Sequence, residues 1–228
     1  MGDVYRLLAS QARISPNRPA LSGPGRAPLT YARLLTHMEE VAASLNRSGV
    51  GRHDRVAIVL PNGPEMAAAF LSVAACATAA PLNPGFRAAE FEFYLSDLQA
   101  RALMVEAGKD SPARNVAHKL AIPIVELLPA AESPAGLFTL ASPDSAPAIS
   151  PGWAQAEDIA LMLHTSGTTA RPKIVPLAQR NICASAGYVR CALELSPEDR
   201  CLNVMPLFHI HGIVGALLAS LAAGGSVF

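Results

Sequence analysis

Five consecutive apolar residues, Val56-Ala57-Ile58-Val59-Leu60, constrain this fold more than any other stretch. Three are β-branched and no polar residue interrupts them, the pattern of a strand buried on both faces. Such strands belong to sheets covered by helices on either side, so helical segments are expected to flank the run. Upstream, Leu34, Leu35, Met38, Val41, Ala42 and Leu45 recur at three- and four-residue spacing. Thr30 offers that helix an N-cap and Gly49 stops it. Downstream, Asn62-Gly63-Pro64-Glu65 reads as a helix start, with proline near the first turn and an acid behind it. The helix that follows, from Met66 to about Ala79, is rich in alanine, which allows close approach to its neighbours.

The alternation continues along the chain. A short strand is expected near Ala80, a turn at Asn83-Pro84-Gly85 and a helix from about Arg87 to Leu98. Ala102 to Val105 and Ile122 to Val125 are further strand candidates, separated by a helix around Ala113 to Leu120. A first helix is expected from Val4 to Ile14. Repeated strand–helix units imply right-handed crossovers, and the fold class expected is α/β, with mostly parallel, doubly wound sheets and helices on both faces.

Residues 1–128 read as a first α/β lobe. Residues 129–157, rich in Pro, Ala and Ser, read as a loop crossing between lobes, and residues 158–228 as the start of a second α/β lobe. There, Ile159–His164 is expected to pair with Lys173–Leu177. A helix from Gln179 to Leu193, a strand near Leu202–Val204 and a helix from Ile213 to Ala223 follow, the last ended by Gly224-Gly225. Ser226-Val227-Phe228 resembles the first residues of another strand, with no partner after it.

Composition narrows the function classes. Of 228 residues, 51% are hydrophobic and 16% charged, with a formal net charge of +0, so neither disorder nor nucleic-acid binding is expected. Cys76, Cys183, Cys191 and Cys201 show no C-x-x-C spacing and read as small buried hydrophobes in a reducing compartment. No positive n-region precedes an apolar core, so no secretory signal is expected. The long uncharged stretches Met66–Phe86 and Leu202–Phe228 contain prolines plus glycine or asparagine, and read as core rather than as membrane spans. A cytoplasmic location is expected, or a peroxisome-like compartment should a C-terminal address lie outside this chain.

The chemistry concentrates in Thr165-Ser166-Gly167-Thr168-Thr169-Ala170-Arg171-Pro172-Lys173, which follows the apolar run Leu161-Met162-Leu163-His164. Gly167 lets the backbone approach an anion, and successive N–H groups in a tight turn form an anion-binding concavity. Ser166, Thr168 and Thr169 add hydroxyls, Lys173 a mobile positive charge, and Pro172 limits the collapse of the loop. A Gly-Lys followed by Ser or Thr, as a Walker loop requires, does not occur.

This run resembles the phosphate-binding motif of the adenylate-forming superfamily. Met205-Pro206-Leu207-Phe208-His209-Ile210-His211-Gly212 is similar to the next core motif of its acyl-CoA synthetase branch. Asp54-Arg55-Val56-Ala57-Ile58-Val59-Leu60-Pro61-Asn62 and Pro81-Leu82-Asn83-Pro84 fall where that family carries its early motifs, so the resemblance covers nearly the whole chain in order. It implies an ATP-dependent carboxylic acid–CoA ligase, with a small acid, ATP and coenzyme A as partners and Mg²⁺ as cofactor. It also implies that only an N-terminal portion is present. The family's catalytic glutamate, adenine-binding turn, ribose-binding aspartate and C-terminal lysine have no matching positions, so these residues alone are expected to be inactive.

On that resemblance Thr165, Ser166, Gly167, Thr168, Thr169 and Lys173 hold the β- and γ-phosphates. Lys173 and His209 are the catalytic candidates, and Phe208, His209 and His211 line the substrate pocket. Other readings of the histidines stay open: a metal pair lacking a third ligand nearby, or two capped residues at a helix start. His164 reads as a strand-end residue; His37, His53 and His118 read as surface positions. Ala170 and Ile174 stand where the family commonly has glycine, which bears on efficiency more than on binding. The motif combination is most similar to small-acid ligases, including oxalate–CoA ligases. A non-catalytic nucleotide-binding or partner-binding remnant is the alternative; adenylation in peptide assembly is disfavoured by His209-Ile210-His211. Self-association is left open.

Overall fold

The computed structural model describes residues 2–142, 146–165 and 172–228. Helix α1 (Val4–Ile14) begins at Asp3, whose carboxylate accepts the Arg6 N–H at 2.8 Å. The antiparallel pair β1 (Pro19–Leu21) and β2 (Leu29–Thr30) leads into α2 (Tyr31–Arg47), which the Thr30 hydroxyl caps by accepting the Arg33 N–H. Gly49 leaves the helix with φ 81°, a left-handed turn that favours glycine. The alternating core follows: β3 (Arg55–Val59), α3 (Pro64–Cys76), β4 (Thr78–Pro81), α4 (Ala88–Asp97), β5 (Ala102–Glu106), α5 (Pro112–Lys119) and β6 (Ile124–Pro129). Beyond it lie β7 (Phe138–Ala141), the hairpin β8 (Ile159–Thr165) and β9 (Lys173–Ala178), α6 (Gln179–Ala192), β10 (Arg200–Cys201), a π-helix (His211–Leu218), α7 (Ala219–Ala223) and β11 (Ser226–Val227).

The large sheet runs β7-β6-β5-β3-β4-β8-β9. Its five inner strands are parallel, and β7 and β9 border it as antiparallel edges. Side chains alternate across it as a doubly covered sheet requires. Val56, Ile58, Met104 and Leu161 join the cluster containing α1, α2 and α3; Ala57, Val59, Leu103 and Met162 join the cluster under α4 and α5. Helix α3 explains its own composition: every residue from Met66 to Cys76 is buried, so no polar face is needed, and its alanines let it lie close to its neighbours. Among the described residues, no helix is long and apolar enough to cross a membrane.

Four details differ from the sequence-based expectation. The stretch 129–157 contains β7, which pairs with β6 at Leu128↔Thr139 and Pro129↔Phe138. Residue 158 does not separate two sheets, because β8 pairs with β4 at Ala79↔Leu161 and so extends the sheet begun at residue 55. The strand expected at 202–204 lies earlier, at β10, and leaves Leu202 and Val204 exposed. Finally, β11 does not lack partners. It lies between β10 and β1 in a second sheet, β10-β11-β1-β2, with Leu21 opposite Val227.

Among the histidines expected at the surface, His53 and His118 are exposed, but His37 is 1% exposed. It stands three residues after Leu34 on the buried face of α2 and meets Phe138 edge to face, ring centroids 4.5 Å apart. Cys76 and Cys183 are buried, and burial pushes both thiols up to about 12. Cys191 is exposed and Cys201 partly so, which departs from the expectation of four buried cysteines.

Candidate active site at the carboxyl ends of β4 and β8

In open parallel sheets, ligands bind beyond the carboxyl ends of the strands, where loops and N–H groups converge. Two of the sequence motifs leave this sheet there. Strand β4 ends at Pro81, and the chain turns through Leu82-Asn83-Pro84-Gly85, fixed by the Asn83 side-chain oxygen accepting the Gly85 N–H at 2.9 Å. Its neighbour β8 ends at His164-Thr165 and returns as β9 from Lys173. Thr165 and Lys173 are register partners at the mouth of this hairpin, and both are exposed. Ser166, Gly167, Thr168 and Thr169, with Ala170 and Arg171, lie outside the described residues. Ile174 pairs with His164 and packs, half-buried, on the α4–α5 side of the sheet. There its branched side chain suits a strand.

The Met205–Gly212 motif forms a folded loop before the π-helix. The Leu207 side chain is buried, and its N–H donates to the Asn62 side-chain oxygen at 2.9 Å. The His209 N–H donates to the Pro206 carbonyl at 3.1 Å, and the His209 carbonyl accepts the Ile213 N–H at 3.1 Å. Gly212 is required by close approach: a Cβ there would lie 2.4 Å from the Pro206 oxygen and 2.9 Å from that of Met205. A π-helix is uncommon at any length and recurs at functional sites, and this one starts two residues after His209.

This loop, the turn after β4 and the end of β8 share one cleft. Pro81, Leu82, Asn83, Phe86, Tyr94, Leu163, His164, Phe208 and His209 line a volume of about 160 Å³. Phe208 and His209 are adjacent rings, centroids 4.9 Å apart. The structure thus brings together two of the residues expected to form a substrate pocket. His211, the third, does not line this cleft; it is exposed, and its ring lies 3.7 Å from the Cβ position of Gly215. The expectation that His209 and His211 face one side assumed an extended segment, whereas the chain bends at His209 and enters the π-helix at His211.

His164 is the lining residue that sequence reasoning set aside. Its side chain is 6% exposed, its Nε2 lies 3.0 Å from Asp97 Oδ2, and its ring meets Tyr94 edge to face at 4.6 Å. No local pattern signals this, because Asp97 is distant in sequence and only the β4–β8 pairing brings α4 over the end of β8. Burial, assisted by the nearby Glu90 carboxylate, raises the Tyr94 phenol above its usual range. Among the described residues, no three His, Cys, Asp or Glu side chains gather as a metal site would need.

Comparison with known proteins matches this arrangement to one family. The sequence is 41% identical over 228 residues to oxalate–CoA ligase of Arabidopsis thaliana, covering 97% of this chain and 44% of that protein. It is 33% identical over 226 residues to sulfoacetate–CoA ligase of Cupriavidus necator, covering 97% and 43% respectively. The chain therefore spans less than half the length of these curated relatives. Its fold superimposes on ATP-bound MatB from Rhodopseudomonas palustris with a TM-score of 0.81 at 23% identity, covering 99% of this chain and 44% of that one. The profile of the AMP-binding enzymes matches residues 8–228. The chain belongs to the AMP-binding enzyme family.

Proposed function

We propose that this chain is the N-terminal portion of an AMP-forming ligase that couples a short carboxylic acid to coenzyme A. The observation that carries this reading is spatial. The mouth of the phosphate-loop hairpin and the Phe208-His209 corner leave the fold at the same end of the parallel sheet, beside one cleft.

In the first step the acid's carboxylate oxygen forms a bond to the α-phosphorus of ATP, and the bond to the pyrophosphate oxygen breaks. One anion must approach another, so neutralising the triphosphate and aligning the reactants dominate the barrier. Thr165, Ser166, Gly167, Thr168 and Thr169 supply hydroxyl and backbone donors to the β- and γ-phosphates, and Lys173 supplies the positive charge. Phe208 and His209 wall the acid, with His211 further along the same segment. In the second step the thiol of coenzyme A adds to the acyl carbon. Its proton is lost and AMP leaves with the electron pair of the acyl–oxygen bond. Mg²⁺ would accompany the triphosphate, held chiefly by the phosphate oxygens and water, and would neutralise part of its charge.

A short acid bearing a second anionic group is the preferred substrate class. The oxalate and sulfoacetate in the names of the two relatives support it. The test is exchange of labelled pyrophosphate into ATP by the full-length gene product. Exchange should require an acid, oxalate above longer monoacids, and Lys173→Ala should slow it by about 10- to 1,000-fold. Exchange that is indifferent to acid and to Lys173 would refute the proposal.

A further inference from the structure

We propose that Asn62 is a positioning residue for His209, a role that rests on the reading of His209 as part of the acid site. The loop carrying His209 has few ties to the rest of the molecule. Outside the regular helices and strands, and among the described residues, the Asn62–Leu207 hydrogen bond is the one that links residues 204–210 to a part of the chain beyond 201–213, and it acts alongside the packing of the buried Leu207 side chain. The other bonds of this loop stay within it or join it to the helix that follows: Met205 N–H to the Asn203 side chain at 3.0 Å, His209 N–H to the Pro206 carbonyl at 3.1 Å, and Ile213 N–H to the His209 carbonyl at 3.1 Å. Internal bonds fix the shape of the loop but not its place. Leu207 immediately precedes the two rings that line the cleft, so the bond that places Leu207 places Phe208 and His209.

Asn62 is well situated for this. It lies just beyond the carboxyl end of β3, one residue before Gly63, the N-cap of α3. Its backbone is therefore anchored between the central strand β3 of the large sheet and the buried helix α3. Its side chain is exposed, so removing the amide leaves the core intact. A positioning error of about 1 Å at a reacting group can cost on the order of 100-fold in rate. One neutral hydrogen bond contributes less, and a drop of about 3- to 10-fold is expected.

The experiment is a double-mutant cycle with a structural readout, on the full-length gene product. In hydrogen exchange, Asn62→Ala should lower the protection of the Leu207 amide and leave β3 and β5 unchanged, and Asn62→Asp, which keeps an acceptor oxygen, should restore it. In acid-dependent pyrophosphate exchange, Asn62→Ala should raise KM for the acid or lower kcat by that factor while KM for ATP stays the same. It should have no further effect in a His209→Ala background. Unchanged Leu207 protection overturns the proposal, as do Asn62→Ala and His209→Ala effects that multiply independently. Wild-type protein without acid-dependent exchange overturns the function proposed above instead, and the hydrogen-exchange arm still decides whether Asn62 holds the loop.

Discussion

His37 shows how one buried side chain can set a protein's response to acid. Burial in α2 disfavours its charged form and the Arg33 charge adds to this, while Glu40, with an oxygen 3.6 Å from Nδ1, only partly opposes them. The imidazole is therefore held below its ordinary value, and Nε2 has no hydrogen-bond partner among the described residues. An unfolded chain takes up this proton near pH 6.5, before the folded one does. Stability should fall as pH drops below about 7 and continue to fall until the folded-state value is passed. Replacing the ring with an aliphatic group, His37→Leu, should flatten this part of the curve. Urea midpoints measured at intervals from pH 7.5 to pH 5 check this, each pH being about one more point on the linkage slope. An unchanged slope in the variant would show that other groups dominate.

At the level of single elements, the π-helix and its entry loop give the sharpest expectation. Gly212 has no room for a Cβ against two carbonyl oxygens, and those oxygens are backbone atoms that cannot swing away. Gly212→Ala should therefore displace the His209 corner, lowering stability by about 1–3 kcal/mol and acid-dependent exchange more than ATP binding. Equilibrium unfolding and nucleotide titration of the same variant separate the two effects.

Elements with strong local signals were legible from sequence. Helix α1 has its expected limits, Thr30 caps α2, and β3 is the buried run from which the parallel sheet was inferred. What escaped was set by distant partners. The four residues of β7 carry little pattern of their own and are a strand because β6 offers an edge. β10 has only two residues and is defined by β11. The cleft was half visible: Phe208 and His209 belong to a contiguous motif, whereas His164 enters through Asp97 and Tyr94 on another helix.

Across the whole molecule, segments far apart in sequence are tied by a few buried polar bonds. Tyr31, at the first turn of α2 and fully buried, donates its hydroxyl to the Gly225 carbonyl at 2.6 Å, joining positions 194 residues apart. Burial keeps the phenol far above its ordinary range, so the bond persists across the physiological pH range. Tyr31→Phe leaves the Gly225 carbonyl to find another donor, and should lower the urea midpoint by an amount equivalent to about 1–3 kcal/mol without altering the m-value. Gln179 makes a similar link, accepting from the Val4 N–H at 3.1 Å and donating to the Ala74 carbonyl, so α6 is fastened to both α1 and α3.

The pairing of β1 with β11 also bears on biosynthesis. Leu21 waits for Val227, so one flank of the first hairpin stays open while the intervening polypeptide is made. At ribosomal speeds of about 5–20 residues per second, a gap of about 200 residues lasts on the order of 10–40 s. For that interval a nascent strand edge is accessible to chaperones and to other unfinished chains, a vulnerable period imposed by the connectivity of the small sheet.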